Sequence, residues 1–136
     1  DSLETNILTV DPNDSETLYL GTDDDGVYKS TDGGESWKKL TVSSLSKSFG
    51  VGDIIVDPQN SNNIYIGTVD YFRLSESRGV LGDFGVYKST DGGATWEEFN
   101  VGLNHLGVFS LELSEENRIL YAGTRAGGVY WISLDN

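Results

Sequence analysis

Arginine and aromatic side chains are concentrated in one stretch of the sequence, and their types suit the binding of an anion or a sugar. Tyr71, Phe72, Arg73 and Arg78 fall within eight residues of one another. A guanidinium group binds a carboxylate through two hydrogen bonds, and an aromatic ring can stack on a sugar ring. The alternative is a solvated loop with scattered charges, because loop extensions are common and well tolerated. The candidate contact residues for a ligand or partner are Asp70, Tyr71, Phe72, Arg73, Glu76, Arg78, His105 and Arg125.

Composition excludes several other kinds of chemistry. The chain of 136 residues has no cysteine and one histidine, which rules out zinc–thiolate sites, a cysteine nucleophile and a multi-histidine metal site within it. Its formal net charge of −13 disfavours binding to nucleic acid and to anionic membranes. No run of about 18 apolar residues is present, so membrane insertion is not expected. We also expect no cofactor and no bound metal.

Repeated sequence makes up most of the chain. The run Leu-Tyr-Leu-Gly-Thr at 18–22 returns in similar form at 64–68 and at 120–124. The nine residues GVYKSTDGG at 26–34 recur identically at 85–93. The first two runs are 46 residues apart and the two identical segments are 59 apart, so the second copy carries 13 extra residues between these motifs. Repeats of this length indicate stacked supersecondary units.

Within each copy, short runs of branched and aromatic residues alternate with turn residues. In the first copy these runs cover about 6–10, 17–21, 26–30 and 36–40. No segment has a helical period of useful length. Four short strands, tight turns and a repeat of about 46 residues are typical of one blade of a β-propeller. We name the strands of a blade a to d in chain order.

The sequence therefore predicts an all-β fold, a β-propeller segment of about three four-stranded antiparallel blades in a single domain over 1–136. Blade 1 is expected at about 6–40, and blade 2 at about 52–99 with an insertion at 69–84. Blade 3 is expected at about 107–136. It is incomplete, because no fourth strand follows its third.

The turns after strand c resemble the Asp-box, also called the bacterial neuraminidase repeat, whose pattern is Ser-x-Asp-x-Gly-x-Thr-Trp. Residues 89–96 match it fully, and 30–37 depart from it only at Ser36. The third copy has Ser133 and Asp135 and no Gly or Trp after them. Families that share this motif include sialidases, xyloglucan hydrolases, sortilin-type receptors and the photosystem II assembly and stability factors. The resemblance covers nearly the whole chain, and it specifies a propeller blade while leaving the function open.

The residues of the motif have a structural reason. Paired glycines supply the positive φ angles of a tight turn, and the aspartate accepts backbone N–H groups inside it. The tryptophan is expected to pack over the turn, and Tyr19, Tyr65 and Tyr121 are expected to pack between blades. The resemblance implies that the boxes lie on the propeller rim, away from the ligand site. We expect structural roles for Ser30, Asp32, Gly34, Trp37, Ser89, Asp91, Gly93 and Trp96.

The resemblance also implies that ligands enter on the face formed by the b–c and d–a loops. The b–c loops are 23–25, the insertion, and the loop that begins at Arg125, while His105 lies in a d–a loop. Three of the four arginines thus fall on one face of an acidic chain. The three aspartates at 23–25 are interpreted as a hairpin turn, because a calcium site needs about six to eight fixed oxygen ligands.

Two functions remain open, and the first is favoured. The first is a non-catalytic scaffold that binds protein or carbohydrate, or assembles with itself, through the 69–84 loop. The alternative is one wall of the groove in a secreted Asp-box glycoside hydrolase, xyloglucanase-like or, less favoured, sialidase-like. Hydrolysis needs two facing carboxylates, and Asp70, Glu76 and Asp83 lie on the right face but resemble many other acids of the chain. No catalytic residue is therefore assigned.

Closure of the propeller is the remaining question. About three blades are fewer than the roughly four to eight that close a ring. The arc would leave two sheet faces with apolar side chains uncovered. We expect either self-association, for example two chains in a ring, or further blades elsewhere in a parent protein, with a glycan or protein as a further partner. The expected location is extracellular or periplasmic.

Overall fold

The computed structural model describes residues 3–45, 49–69, 85–100, 107–125 and 127–135. Over these ranges every regular element is a β-strand. No helix within them is long and apolar enough to cross a membrane. The all-β class predicted from the sequence is confirmed.

The strands form three antiparallel sheets, and in each sheet the neighbours along the chain are also neighbours in space. Sheet 1 contains β1 (Thr5–Asp11), β2 (Asp14–Thr22), β3 (Val27–Ser30) and β4 (Lys38–Leu40). Sheet 2 contains β5 (Gly50–Val56), β6 (Ile64–Val69), β7 (Val86–Ser89) and β8 (Glu97–Glu98). Sheet 3 contains, in the described ranges, β9 (Val108–Ser114), β10 (Ile119–Thr124) and β11 (Val129–Ser133). Consecutive meanders of this kind are the blades of a propeller segment.

Apolar cores lie between the sheets. Successive side chains of a strand point to opposite faces, so each sheet has two faces that need cover. We call the face toward the preceding sheet the front face, and the opposite face the back face. Tyr19 on the back of sheet 1 shares a buried cluster with Ile54 and Ile66 on the front of sheet 2. Tyr65 on the back of sheet 2 shares a second cluster with Leu120 on the front of sheet 3.

Sheet 2 is the only one of the three that is covered on both faces in the described residues. Every residue of β6 is buried. Its apolar side chains therefore serve both faces, with Ile64 and Ile66 in the cluster toward sheet 1 and Tyr65 in the cluster toward sheet 3.

Glycine occupies the place in the central strands where the next sheet approaches most closely. A Cβ atom added at Gly21 would lie 2.8 Å from the Cβ of Val51, and one added at Gly67 would lie 2.6 Å from the Cγ1 of Val108. Ordinary carbon–carbon contacts are about 3.5–4.0 Å. The glycine of the repeated Gly-Thr pair therefore allows each sheet to stack on the next.

Polar contacts also join neighbouring sheets. The Thr9 hydroxyl donates to the Ile54 carbonyl at 3.0 Å, and the Leu111 N–H donates to the Asp53 carboxylate at 2.8 Å. Hydrogen bonds weaken steeply when their geometry is lost, whereas apolar packing is non-directional. These bonds therefore align the first strand of one sheet with the first strand of the next.

The strongest polar contact between sheets 2 and 3 is an ion pair. Both guanidinium NH groups of Arg118 donate to the two carboxylate oxygens of Asp57, at 2.9 and 2.6 Å. The Asp57 side chain is fully buried, and 16% of the Arg118 side chain is exposed. These hydrogen bonds hold the pKa of Asp57 below its ordinary value, although burial opposes the shift. The same pair raises the pKa of Arg118.

Tyr121 departs from the expectation that all three repeated tyrosines pack between blades. Tyr19 and Tyr65 are each 1% exposed, but Tyr121 is 37% exposed. The reason is its position on the back face of sheet 3, which no sheet covers in the described part of the chain. The tyrosine position is thus a packing position only where a further sheet follows.

We expect Arg118→Met to lower the free energy of unfolding by about 3–5 kcal/mol, because it leaves a buried carboxylate without its partner. Urea denaturation measures this change. The loss should shrink in acid, because a lowered pKa gives stability that is present above the ordinary carboxyl pKa and is lost as the pH falls through the folded-state value.

The matched control is Lys38→Met, which removes an exposed positive charge on β4. Its effect should stay within about 0.5 kcal/mol. Equal stabilities of the two variants would contradict a stabilising role for the ion pair.

Candidate functional site

The b–c loops, which form the expected ligand face, are closed at their base by the same threonine in each sheet. The Thr22 N–H and hydroxyl both donate to the Gly26 carbonyl, at 3.0 and 2.9 Å. Thr68 makes the same two bonds to Gly85 at 2.8 and 3.0 Å. Thr124 bonds the carbonyl of residue 128 in the same way. The loop above this closure can therefore change in length without a change in strand register.

The insertion follows this rule. Three residues separate the threonine from the glycine in sheet 1, and sixteen separate Thr68 from Gly85 in sheet 2. Yet the pairing of the two sheets is equivalent, with Leu20 opposite Tyr28 in one and Ile66 opposite Tyr87 in the other. The strand pairing of the frame is thus unchanged by the insertion.

An asparagine that the sequence reasoning did not single out also braces the base of the insertion. The Asn100 side-chain carbonyl accepts the Val86 N–H at 2.7 Å. A Cβ at Gly85 would lie 2.2 Å from that same oxygen, so glycine is needed there. The position of Asn100 at the end of a strand-d run was the available signal of this role in the sequence. No other copy carries an asparagine at the equivalent position.

Arg125 is the predicted contact residue that the structure describes. It is exposed, and its N–H donates to the Gly107 carbonyl at 3.1 Å. The equivalent bond in sheet 1 runs from the Asp23 N–H to the Glu4 carbonyl at 3.0 Å. The residue after the Gly-Thr pair therefore holds a fixed place on the loop face, and its charge is negative in sheet 1 and positive in sheet 3.

The other predicted contact residues lie outside the described residues. They are Asp70, Tyr71, Phe72, Arg73, Glu76, Arg78 and His105. Whether they meet Arg125 on one face stays a prediction.

The run of three aspartates in the first b–c loop is tied to the frame. Asp25 accepts hydrogen bonds from the Lys39 ammonium and the Tyr28 hydroxyl. The bond to Lys39 is the main reason that the pKa of Asp25 lies below its ordinary value. Gly26 N–H in turn donates to the Phe49 carbonyl at 3.0 Å, which joins the loop to the start of sheet 2. Asp25 therefore serves the loop's own structure.

The two Asp-boxes have the same geometry. In the second box Asp91 Oδ1 accepts the Ser89 hydroxyl and the Thr95 N–H, both at 2.8 Å, and Oδ2 accepts the Thr95 hydroxyl. The Gly93 N–H donates to the Ser89 hydroxyl at 2.8 Å. The Trp96 indole N–H donates to the Gly93 carbonyl at 3.0 Å, so the ring lies over its own turn.

The first box repeats this arrangement with serine in place of threonine. Asp32 Oδ1 accepts the Ser36 N–H at 2.8 Å, and the Trp37 indole donates to the Gly34 carbonyl at 3.1 Å. Gly33 and Gly34 have φ angles of 70° and 94°, the left-handed region that the turn requires.

These bonds determine the ionisation of the box aspartates. The hydroxyl of Ser36 or Thr95 is the main cause, and the N–H of the same residue adds to it. Together they lower the pKa of Asp32 and of Asp91 from 3.8 to about 2. A group that stays ionised at neutral pH and whose two oxygens are occupied is unsuited to donate a proton.

Comparisons with known proteins agree with this geometry. The family model Sortilin-Vps10 (sortilin, neurotensin receptor 3) matches residues 2–132. A xyloglucanase of Acetivibrio thermocellus is 31% identical over 134 residues, which is 90% of this chain and 15% of that protein. A xyloglucanase of a Paenibacillus species is 34% identical over 104 residues, which is 65% of this chain and 10% of that protein.

A solved structure has the same fold. The GH74 enzyme of Niastella koreensis superposes with a TM-score of 0.71 and 29% identity, over 93% of this chain and 19% of that one. The chain therefore spans between a tenth and a fifth of the length of the relatives it resembles.

We expect Asp91→Asn to lower the urea midpoint near neutral pH, because the amide replaces a carboxylate that accepts hydrogen bonds from its own turn. The lowered pKa of about 2 means that this stability is present above pH 3.8 and is lost as the pH falls through about 2. The difference in urea midpoint between the variant and the unchanged chain should therefore become smaller as the pH falls over that range. Denaturation at a series of pH values tests this.

Glu35→Gln is the control, because it neutralises an exposed carboxylate at a variable position within the other box. It should leave the midpoint unchanged at each pH. If Asp91→Asn lowers the urea midpoint by the same amount at every pH, the role given to the ionised carboxylate is contradicted.

Proposed function

The chain belongs to the Sortilin-Vps10 family, and from that premise we propose that it is a segment of a propeller hydrolase that acts on xyloglucan. In this proposal the segment forms one wall of the substrate groove and does not itself supply the catalytic pair. The observation that carries the proposal is the similarity, over 90% of the chain, to a protein whose name states that activity.

The roles of four described carboxylates favour a wall over a catalytic centre. Burial raises the pKa of Asp53, as a general acid would need. Its two oxygens, however, accept the Ile54 N–H and the Leu111 N–H, both at 2.8 Å. Asp57 is bound to Arg118, and the box aspartates are bound within their turns. Each of these acids has a structural task between or within sheets.

The loop face supports carbohydrate as the ligand class. The bases of the three b–c loops are each closed by a threonine at this face. We propose that the insertion supplies Tyr71 and Phe72 for stacking on sugar rings, and that Arg73, Arg78 and Arg125 donate hydrogen bonds to hydroxyl groups. A neutral polysaccharide brings no charge to a chain with a net charge of −13, so binding it adds no electrostatic repulsion.

The proposal also implies a location. A polysaccharide does not cross a membrane unaided, so a protein that acts on it works outside the cytoplasm. We therefore propose an extracellular or periplasmic site of action.

We expect the 136-residue chain to bind xyloglucan oligosaccharides without hydrolysing them. Isothermal titration calorimetry measures binding, and an assay for new reducing ends measures hydrolysis. Unsubstituted cello-oligosaccharides of equal backbone length are the control ligand. Release of reducing ends by the chain alone would contradict the wall role, and absence of any binding would contradict the ligand class.

Replacement of residues 70–84 by the two aspartates of 24–25, which leaves the buried Val69 of β6 in place, should keep the fold and weaken oligosaccharide binding at least tenfold. The fold is expected to persist because Thr68 and Gly85 close the loop at its base just as Thr22 and Gly26 do. Circular dichroism and calorimetry measure the two effects.

A variant with Glu115→Gln and Glu116→Gln, in the turn between β9 and β10 on the opposite face, is the matched control. This variant should bind the xyloglucan oligosaccharides with the affinity of the unchanged chain. Unchanged affinity after the loop replacement would refute the role of the insertion, and loss of the fold would refute the independence of loop and frame.

A further inference from the structure

The strand that follows the insertion is paired differently from its counterpart in sheet 1. In sheet 1 the pairing of strand c with strand d includes Val27, the first residue of β3. In sheet 2 this pairing ends at Tyr87, the second residue of β7. The Val86 carbonyl still accepts the Phe99 N–H at 2.8 Å, but the Val86 N–H donates to the side-chain carbonyl of Asn100 at 2.7 Å. A side chain therefore makes the last contact between strands c and d of sheet 2.

The glycine before this strand also differs from its counterparts. Gly85 has a φ angle of 148°, whereas Gly26 and Gly128 have φ angles of 77° and 79°. A Cβ atom added at Gly85 would lie 2.2 Å from Oδ1 and 2.8 Å from Nδ2 of Asn100. The planar amide thus packs directly on the glycine backbone. It determines the direction in which the chain leaves the insertion and enters β7.

The amide nitrogen of Asn100 carries a cost. Nδ2 is buried, and it has no hydrogen-bond partner among the described residues. A buried donor without an acceptor destabilises a fold. The equivalent position of sheet 1 is Thr41, which is exposed. The blade therefore does not need an asparagine here for its own stability, and the asparagine is better explained by its contacts with Gly85 and Val86.

The other end of the insertion is held by the start of sheet 3. Val69 is buried, and a Cβ atom added at Gly107 would lie 3.2 Å from its Cγ2. The Gly107 carbonyl also accepts the Arg125 N–H at 3.1 Å. Asn100 and Gly107 are the residues that flank 101–106 in the chain. The two ends of the insertion therefore contact the two ends of one d–a segment, and the b–c loop of sheet 3 is joined to the same place.

We propose that Asn100 is a positioning residue for ligand binding on the loop face. Its amide fixes the exit of the insertion relative to the d–a segment that begins beside it. A binding loop whose ends are fixed loses less conformational entropy when the ligand binds, so its affinity is higher. The ligand in this inference is the one of the proposed function, whereas the restraint on the insertion is independent of any ligand.

The restraint is tested first without a ligand, by limited digestion with trypsin. Trypsin cleaves after Arg73 and Arg78 in the insertion, and after Lys47 between sheets 1 and 2. Asn100→Leu keeps a side chain of similar size and removes the acceptor for the Val86 N–H. It should raise the early rate of cleavage at the two arginines, relative to Lys47, by about fivefold or more, because the open form of the loop is more populated. Mass spectrometry of early digests measures both rates.

Two further variants serve as matched controls. Asn100→Asp keeps an acceptor for the Val86 N–H, and it loses no hydrogen bond of Nδ2 among the described residues. Glu98→Leu places a leucine at an exposed position of the same strand and leaves Asn100 unchanged. Both should keep the cleavage ratio within about twofold of the unchanged chain.

The ligand arm uses the xyloglucan oligosaccharides and isothermal titration calorimetry. Asn100→Leu should weaken binding about tenfold, and Asn100→Asp should restore most of the affinity. The urea midpoint of Asn100→Leu should change little, because removal of the unpartnered donor offsets the lost bond to Val86. A purely structural role would instead lower the urea midpoint together with the affinity.

The outcomes separate this inference from the proposed function. An unchanged cleavage ratio in Asn100→Leu would overturn the positioning role, and so would equal acceleration at Lys47, which indicates a general loss of stability. Normal oligosaccharide binding by Asn100→Leu would overturn it while leaving the proposed function intact. If the unchanged chain binds no oligosaccharide but the cleavage ratio rises as expected, the proposed ligand is wrong and the restraint on the insertion by Asn100 is supported.

Discussion

A β-sheet with two apolar faces needs a sheet on either side, and the rest of this structure depends on that constraint. The chain satisfies this constraint by repetition, because each sheet presents a front face of aliphatic residues and a back face built on a tyrosine. Sheet 2 meets it completely, and every residue of its central strand β6 is buried. Among the described residues, sheets 1 and 3 are covered on one face each, and the exposed Leu8 and Trp131 lie on the other.

The Gly-Thr pair separates the sheet frame from the b–c loops. At Gly21 and Gly67 the absent side chain admits the first strand of the next sheet. One residue later, Thr22 and Thr68 close the b–c loop with two bonds to a glycine carbonyl. A change in the length of a b–c loop therefore does not alter the stacking of the sheets. This is why one loop can hold thirteen more residues than another. Folds of this kind can change ligands by loop variation alone.

The sequence predicted the strands and box turns well, because local residues determine them. The glycines, the aspartate and the hydroxyl residue of a box lie within eight positions of one another. The hydrogen bonds that form the turn therefore join residues of the motif itself. The propeller class followed from the repeat.

The sequence did not predict the polar contacts between sheets, because these contacts join residues far apart in the chain. Asp57 and Arg118 are 61 positions apart, and Asp53 and the Leu111 N–H are 58 apart. Alignment of the three copies offered one signal, since Arg118 stands where the other copies have Glu16 and Asn62. The candidate contact residues of the insertion and His105 lie outside the described residues, and their grouping with Arg125 stays a prediction.

Amide hydrogen exchange tests the central claim most directly, by comparing β2, β6 and β10 in the monomeric chain at high dilution. All three are central strands with paired neighbours on both sides, so they differ chiefly in how many of their sheet's faces are covered. The account predicts that the amides of β6 exchange most slowly and that those of β2 and β10 exchange faster, because opening is easier where one face meets water. Equal protection of the three strands, or a β6 that exchanges first, would contradict the claim that neighbouring sheets stabilise each blade.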